Sequence, residues 1–244
     1  MTKSSGLGDR LFVAEFDLSG DVGSIQRVGG GNSPLVVTGI DKQAFERLAG
    51  KLDGAINFMA FFNKTAGQAH PVLSALPTTD RIVSYLRGTT LGNAIASMVA
   101  KQINYDGNRA ADGSLTFQTQ ALANGFGLEW GRQLTAGLRS DTTATNGASI
   151  DTVASAAFGL QAYLHVISFT GTSVSIQIED SADNAAFADV TAGTFTSVTA
   201  PTSERLFTAR NATIRQYLRI ATVGTFSQCS FVVNVVKNTA TTVF

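Results

Sequence analysis

Thr38-Gly-Ile-Asp-Lys-Gln-Ala-Phe-Glu-Arg-Leu-Ala-Gly50, followed closely by Gly54-Ala-Ile-Asn-Phe-Met-Ala-Phe-Phe-Asn63, is the stretch on which the reading of the fold turns. Ala44, Phe45, Leu48 and Ala49 recur at helical spacing, with Lys42 and Glu46 one turn apart on the outside. Asp41 is placed to cap the first turn and Gly50 to end the last. Such a short helix needs a support, because isolated helices require roughly 12–15 residues to be even marginal in water. Gly54 to Asn63 offers one as a strand, with Ile56, Phe58 and Phe62 on one face and Met59 and Phe61 on the other. A strand apolar on both faces is covered twice. One face is therefore expected in a sheet sandwich, the other under the helix or against a neighbouring subunit.

Working outward, Leu11 to Leu18 alternates, with Phe12, Ala14, Phe16 and Leu18 inward and Glu15 and Asp17 outward, which predicts a half-buried strand. Residues before it are Ser/Gly-rich and are expected to form a mobile arm over 1–10. Val28-Gly-Gly-Gly-Asn-Ser-Pro34 reads as a loop; its glycines lack both the Walker spacing and a G-x-G-x-x-G opening a helix. Lys64 to Thr79 is a long connection whose Val72, Leu73 and Leu76 suit docking on another copy. Arg81–Arg87, Ala94–Tyr105 and Leu115–Leu122 read as strands, the last two joined through a charged turn, Asp106 to Gly113, that ends in an Asp-Gly hairpin signal. Within that turn Asp106, Arg109 and Asp112 are further candidates for contact between subunits.

Around Ala136 to Thr152 the composition shifts to Thr, Ser, Gly, Asn and Asp, the pattern of a domain boundary. The expected organisation is an arm at 1–10, a first domain at 11–137, a linker at 138–152 and a β-sandwich module at 153–244. Strands are predicted in the module at Phe158–Thr170, Ser173–Glu179, Phe187–Phe195, Glu204–Thr208, Arg215–Ala221 and Gln228–Lys237. Short strands with polar turns point to a jelly-roll or immunoglobulin-like sandwich, so the chain as a whole is read as mainly β.

The 244 residues are 44% hydrophobic and 15% charged, with formal net charge zero. A charged fraction below the usual ~25% suits a surface largely used in contacts between copies, and neutrality argues against a general nucleic-acid binder. Cys229 is the only cysteine, so no internal disulfide forms. No apolar run approaches the ~20 residues that span a bilayer, and the N-terminal residues lack an apolar signal core. His70, His165 and Cys229 are too few and too dispersed for zinc. Glu179, Asp180, Asp183 and Asp189 offer oxygen ligands for calcium without the EF-hand spacing, and ordinary turn chemistry explains them as well. Glu179 and Asp180 as a glycosidase pair have poor geometry, since adjacent strand residues face opposite ways. No cofactor, metal or catalytic residue is expected. Arg205, Arg210, Arg215 and Arg219 with Tyr217 put guanidinium groups and an aromatic on neighbouring strands; Arg215, Tyr217 and Arg219 share an outer face that suits a surface ligand or is simply solvated.

Thr38 to Arg47, Gly54 to Asn63 with the following Ala69-His-Pro71, Ser84 to Gly92, Ala100 to Asp106 and Ala123 to Gly131 together resemble the major tail tube proteins of long-tailed bacteriophages. The resemblance covers about Leu11 to Gly137. It implies a β-sandwich or barrel flanked by one helix, forming rings of six that stack through an extended loop and arms into a tube for the genome. It implies a virion protein, assembled in the host cytoplasm, whose partners are further copies and the tape-measure, terminator and distal tail proteins, with no membrane. DNA would pass without specific binding through a lumen poor in Lys and Arg, which would hold its phosphates. The second half looks like the β-sandwich modules on the outside of phage tail and capsid proteins, through Ser181-Ala-Asp-Asn184 and Tyr217-Leu-Arg219. The alternative is a decoration or baseplate protein whose sandwich binds a glycan.

Overall fold

The computed structural model describes residues 3 and 5–242; residues 1, 2 and 4 of the expected arm lie outside them. Its elements are β1 (Arg10–Val13), β2 (Phe16–Asp17), β3 (Val22–Val36), β4 (Arg47–Phe61), α1 (Ala69–Ser74), β5 (Arg81–Leu86), β6 (Ala94–Gln102), β7 (Asp106–Arg109) and β8 (Leu115–Ala123). There follow β9 (Glu129–Gln133), β10 (Arg139–Asp141), β11 (Thr145–Asn146), β12 (Ile150–Asp151), β13 (Leu160–Ser181), β14 (Ala188–Thr194), β15 (Thr202–Phe207) and β16 (Tyr217–Lys237). The architecture is mainly β, with one short helix among the described residues. The strands join one antiparallel sheet along the path β14-β13-β16-β9-β6-β5-β1-β2, from which β8, β4 and β3 branch at β6.

Two long strands replace four shorter expectations. β13 and β16 pair from Leu160↔Lys237 to Ser181↔Tyr217, with register shifts around Gly171 that absorb the break in alternation. Residues 138–152, expected as a linker, contain β10, β11 and β12. With β9 they step along one edge of β16, through Gln133↔Asn234, Arg139↔Phe231, Thr145↔Thr222 and Ile150↔Leu218. Their polar side chains leave no apolar pattern to read, yet their backbone groups pair as a sheet requires.

Three further expectations are corrected. Leu11–Leu18 is a hairpin rather than one strand: Ala14 turns the chain at φ 51°, and Val13 pairs with Phe16. The triple glycine is strand, and a Cβ on Gly30 would stand 2.4 Å from Asp53 O, so glycine permits the close approach of β3 to β4. The helix expected between Asp41 and Gly50 is absent, because β3 and β4 pair right out to Val36↔Arg47 and the intervening residues form the hairpin tip. Phe45 is 68% exposed and Leu48 59%, so no core lies beneath them to stabilise a helix. The helix stands instead at α1, inside the stretch expected as a long connection. Asp21, distant in sequence, caps it by accepting hydrogen bonds from Ala69 N (2.9 Å) and Asn63 Nδ2 (2.8 Å).

Burial divides into three layers. A first lobe packs Leu11, Val13, Ile56, Phe58 and Met98 under Ala69 and Leu73 of α1. A second lobe packs Leu164, Val166 and Ile176 of β13 with Phe231 and Val233 of β16, Phe195 and Leu206. Between the lobes lies a smaller layer of Phe12, Leu86, Ile95 and Val232.

A directed chain of hydrogen bonds crosses that middle layer. Asn234 Nδ2 donates to Ser97 Oγ (2.9 Å), and Ser97 and Ser84 share a bond of 2.6 Å. His165 Nε2 stands 2.7 Å from Ser84 Oγ and Nδ1 2.6 Å from Ala14 O. A carbonyl only accepts, so His165 carries its proton on Nδ1 and takes one from Ser84; Ser97 then donates to Ser84. Every donor points the same way. His165 is 1% exposed, and burial pushes its pKa down to about 4.

The unfolded imidazole titrates near 6.5 and the folded one near 4. Between these values the unfolded chain binds a proton that the folded chain refuses, so stability is complete above about pH 6.5 and falls by roughly 3 kcal/mol on reaching pH 4. Urea unfolding at pH 7 and pH 4.5 should therefore show a larger acid loss in the parent than in His165→Gln. Equal losses would place the native imidazole in contact with water. Packing gives a second expectation: Phe45→Ala should change unfolding of the isolated subunit by less than about 0.5 kcal/mol. Leu73→Ala should cost about 2–5 kcal/mol. The reverse order, measured by the same denaturation, would restore the helix at 41–50.

Candidate functional site

The part of the surface least explained by the subunit itself is the outer half of the β3–β4 hairpin. β8 pairs only with Ala55–Phe61 of β4, so Arg47–Asp53 has β3 as its sole strand neighbour among the described residues. Leu128 closes on the root, where a Cβ on Gly54 would meet it at 2.5 Å. Beyond that point a two-stranded ribbon projects by roughly 20 Å at the usual rise of ~3.3 Å per residue. An isolated hairpin is marginal in water. This one also leaves Leu35, Val36, Val37, Ile40, Phe45 and Leu48 exposed, Ile40 completely. Thr38 Oγ1 accepts from Glu46 N at 3.0 Å and Val37 N donates to Glu46 O at 2.9 Å, which order the tip as an apolar knob.

The other end of β4 carries a second exposed apolar group. Phe61 is 48% and Phe62 41% exposed. Phe62 lies against His70 (centroids 4.5 Å) and Phe117 (6.0 Å), and Tyr105 stacks on Phe117 at 4.2 Å. His70 Nδ1 lies 3.2 Å from Tyr105 Oη, so His70 belongs to an aromatic cluster. The outer edges of β3 and β7 are also open, since among the described residues β3 pairs only with β4 and β7 only with β8.

The residues singled out from sequence are scattered over this lobe. Leu73 is buried in the core, whereas Val72 is half-buried at a groove beside α1 and Leu76 is exposed at φ 42°. Asp106 and Arg109 belong to β7, paired with β8 rather than forming an open turn. Asp106 accepts from Asn104 Nδ2 at 2.6 Å, and Asp112 accepts from Ser114 N at 2.9 Å, which holds its carboxyl below the usual range. The knob at 37–48 was missed, because its apolar spacing fits a helix as well as a hairpin tip.

On the second lobe, charges are matched within the subunit. Arg215 binds Asp180 through its own N–H (2.8 Å) and Nε (2.6 Å), and Arg219 Nε meets Glu179 Oε2 at 2.5 Å while stacking on Phe187 at 4.0 Å. Tyr217 stands between them on β16, opposite Ser181. Arg205 lies elsewhere, stacked on Phe126 at 3.9 Å and bonded to Tyr163 Oη at 3.0 Å and Glu129 at 3.4 Å. Tyr163 also donates to Glu129, which ties the lobes a second time. The acidic residues are individually engaged. Asp183 accepts from Ala185 N and Ala186 N, which draw its pKa down to about 2, and Asp189 accepts from Gln177. Among the described residues no three His, Cys, Asp or Glu side chains converge as a metal site. Cys229 is buried, and burial pushes its thiol up to about 12.

No family model matches the chain, and no curated protein matches it in sequence. Several solved structures are similar over long stretches. One is a chain of the tail of an empty GTA particle with C6 symmetry, at 14% identity and TM-score 0.40, over 52% of this chain and 98% of that one. Another is the SPP1 Dit (gp 19.1) protein, at 10% identity and TM-score 0.33, over 93% of this chain and 98% of that one. A third belongs to the phage p2 baseplate in its activated conformation with Sr, at 9% identity and TM-score 0.32, over 94% and 98%.

Proposed function

We propose that this chain is a structural, non-catalytic protein of a phage tail, which self-assembles into six-membered rings stacked as a tube for DNA. The observation that carries the reading is the placement of two exposed apolar groups at opposite ends of β4, the knob around Ile40 and Phe45 and the patch at Phe61 and Phe62. Unlike surfaces at opposite ends of one subunit make a head-to-tail contact, which extends into an open stack where its rotation does not close on itself. Stacking follows from that contact. Lateral closure into a ring draws on the open edges of β3 and β7, which lie at the two sides of the β3-β4-β8-β7 part of the sheet. Open edges invite strand addition by another chain. The resemblance of Leu11–Gly137 to tail tube proteins supplies the number six and the DNA-conducting role. On the glycan-binding decoration reading, Arg215 and Arg219 would need charge to offer, and Asp180 and Glu179 already take it up.

Negative-stain electron microscopy of the purified full chain tests this. Stacked rings with a central hole are expected for the parent, and unstacked rings for the double variant Ile40→Asp with Phe45→Asp. A protein that stays monomeric at high concentration, or a variant that still forms long tubes, would overturn the corresponding half of the proposal.

A further inference from the structure

We propose that the valley between the two lobes, over β6, β9 and β16, binds an acidic sugar ring. Trp130 and Arg132 on β9 are two residues apart and so share a face. Their neighbours on β6 are Ala96 and Ala94, too small to fill the space beside them, and on β16 Val235 stands opposite Arg132. Thr152, Lys237 and Thr239 complete a trough of about 320 Å³. That volume is at the lower end for small-molecule sites, which favour junctions between lobes.

Two features of the trough are only partly matched within the subunit. Trp130 is 49% exposed, although indole is among the most costly side chains to leave in water. Arg132 and Lys237 also lack an ion-pair partner among the described residues. Lys237 Nζ donates to Thr152 Oγ1 (2.8 Å), Ala154 O (2.6 Å) and Arg215 O (2.9 Å), all uncharged, and Arg132 Nη1 donates to Asp151 O (2.8 Å). Elsewhere Arg139, Arg205, Arg215 and Arg219 each hold a carboxylate. The one carboxylate that feels both cations, Asp151, is turned to Gln216 Nε2 (2.9 Å) and Val153 N (2.7 Å). Lys237 also feels Asp180, whose carboxylate is taken up by Arg215, so Arg132, Lys237 and Arg215 stand against Asp151 and Asp180 and the trough keeps a positive balance beside an exposed aromatic surface.

A pyranose carrying a carboxylate matches this set. Its C–H face is apolar and weakly positive, suited to the negative face of indole. Its carboxylate accepts a forked pair from a guanidinium, for which Arg132 has free N–H groups. A single-stranded nucleic acid is a poorer match, because such sites present successive aromatic platforms along a basic groove, and Trp130 is the only aromatic residue lining the trough. The site does not depend on how rings stack.

Trp130 is the only tryptophan, so intrinsic fluorescence reports on the trough directly. The full chain is titrated with galacturonate oligosaccharide, its neutral galactose counterpart, a single-stranded oligonucleotide and a glutamate-rich peptide. A saturable change with the galacturonate is expected, about tenfold or more weaker with the neutral sugar and for Arg132→Gln, and retained in part by Arg132→Lys. Circular dichroism confirms that the variants remain folded. Equal responses to charged and neutral sugars, no saturable response by about 10 mM at a typical millimolar threshold for weak binding, or a response confined to the oligonucleotide or peptide would overturn the proposal. So would shielding of Trp130 from acrylamide in the assembled protein, which would make the trough a subunit contact.

Discussion

The hydrogen-bond chain from Asn234 through Ser97 and Ser84 to His165 and Ala14 O is the constraint on which the arrangement of the lobes depends. The middle layer holds few apolar side chains, so hydrophobic burial alone would tolerate sliding of one lobe over the other. Buried polar groups do not, because each one left unpaired costs about 1–3 kcal/mol. The chain is matched at one relative position of β13 and β16 against β5, β6 and the Ala14 turn. The apolar contacts supply adhesion, and the polar chain sets the register.

Reading the sequence succeeded where one face of a strand was buried and the other wet. β5, the 174–179 part of β13 and the end of β16 were legible for that reason, since their side chains alternate cleanly. It failed where the partner of an apolar residue lies outside the subunit. Ala44, Phe45 and Leu48 look like a helix face because burial was assumed, and their exposure removes the assumption. α1 was hidden for the opposite reason: its cap comes from Asp21 and its packing from a distant sheet, so six residues carry almost no local signal. The Thr/Ser stretch before β13 was also unreadable, since edge strands held by backbone bonds need no apolar code. The knob was not read as a site, and Trp130 entered only within the run Ala123 to Gly131 that carries the resemblance.

The two lobes handle charge differently. In the second lobe, Glu179 and Arg219 pair across β13 and β16, and Asp180 of β13 holds Arg215 just before β16, so the ribbon carries its own neutralisation. Partly buried pairs of this kind are weak contributors to stability, but leaving one member alone is costly. They therefore act against mispairing of two long strands that would otherwise slip by two residues without changing face. The first lobe has a different economy, with apolar surface left open on the ribbon and around Phe61.

β16 pairs with β9, β10, β11, β12 and β13, and among the described residues it follows all of them in chain order. On a ribosome the preceding strands emerge without the edge they are built on, and contacts of long sequence separation form late. The junction layer is incomplete until Val232 and Asn234 are out. Synthesis thus delivers the lobes in their fixed relation only as translation of this segment ends.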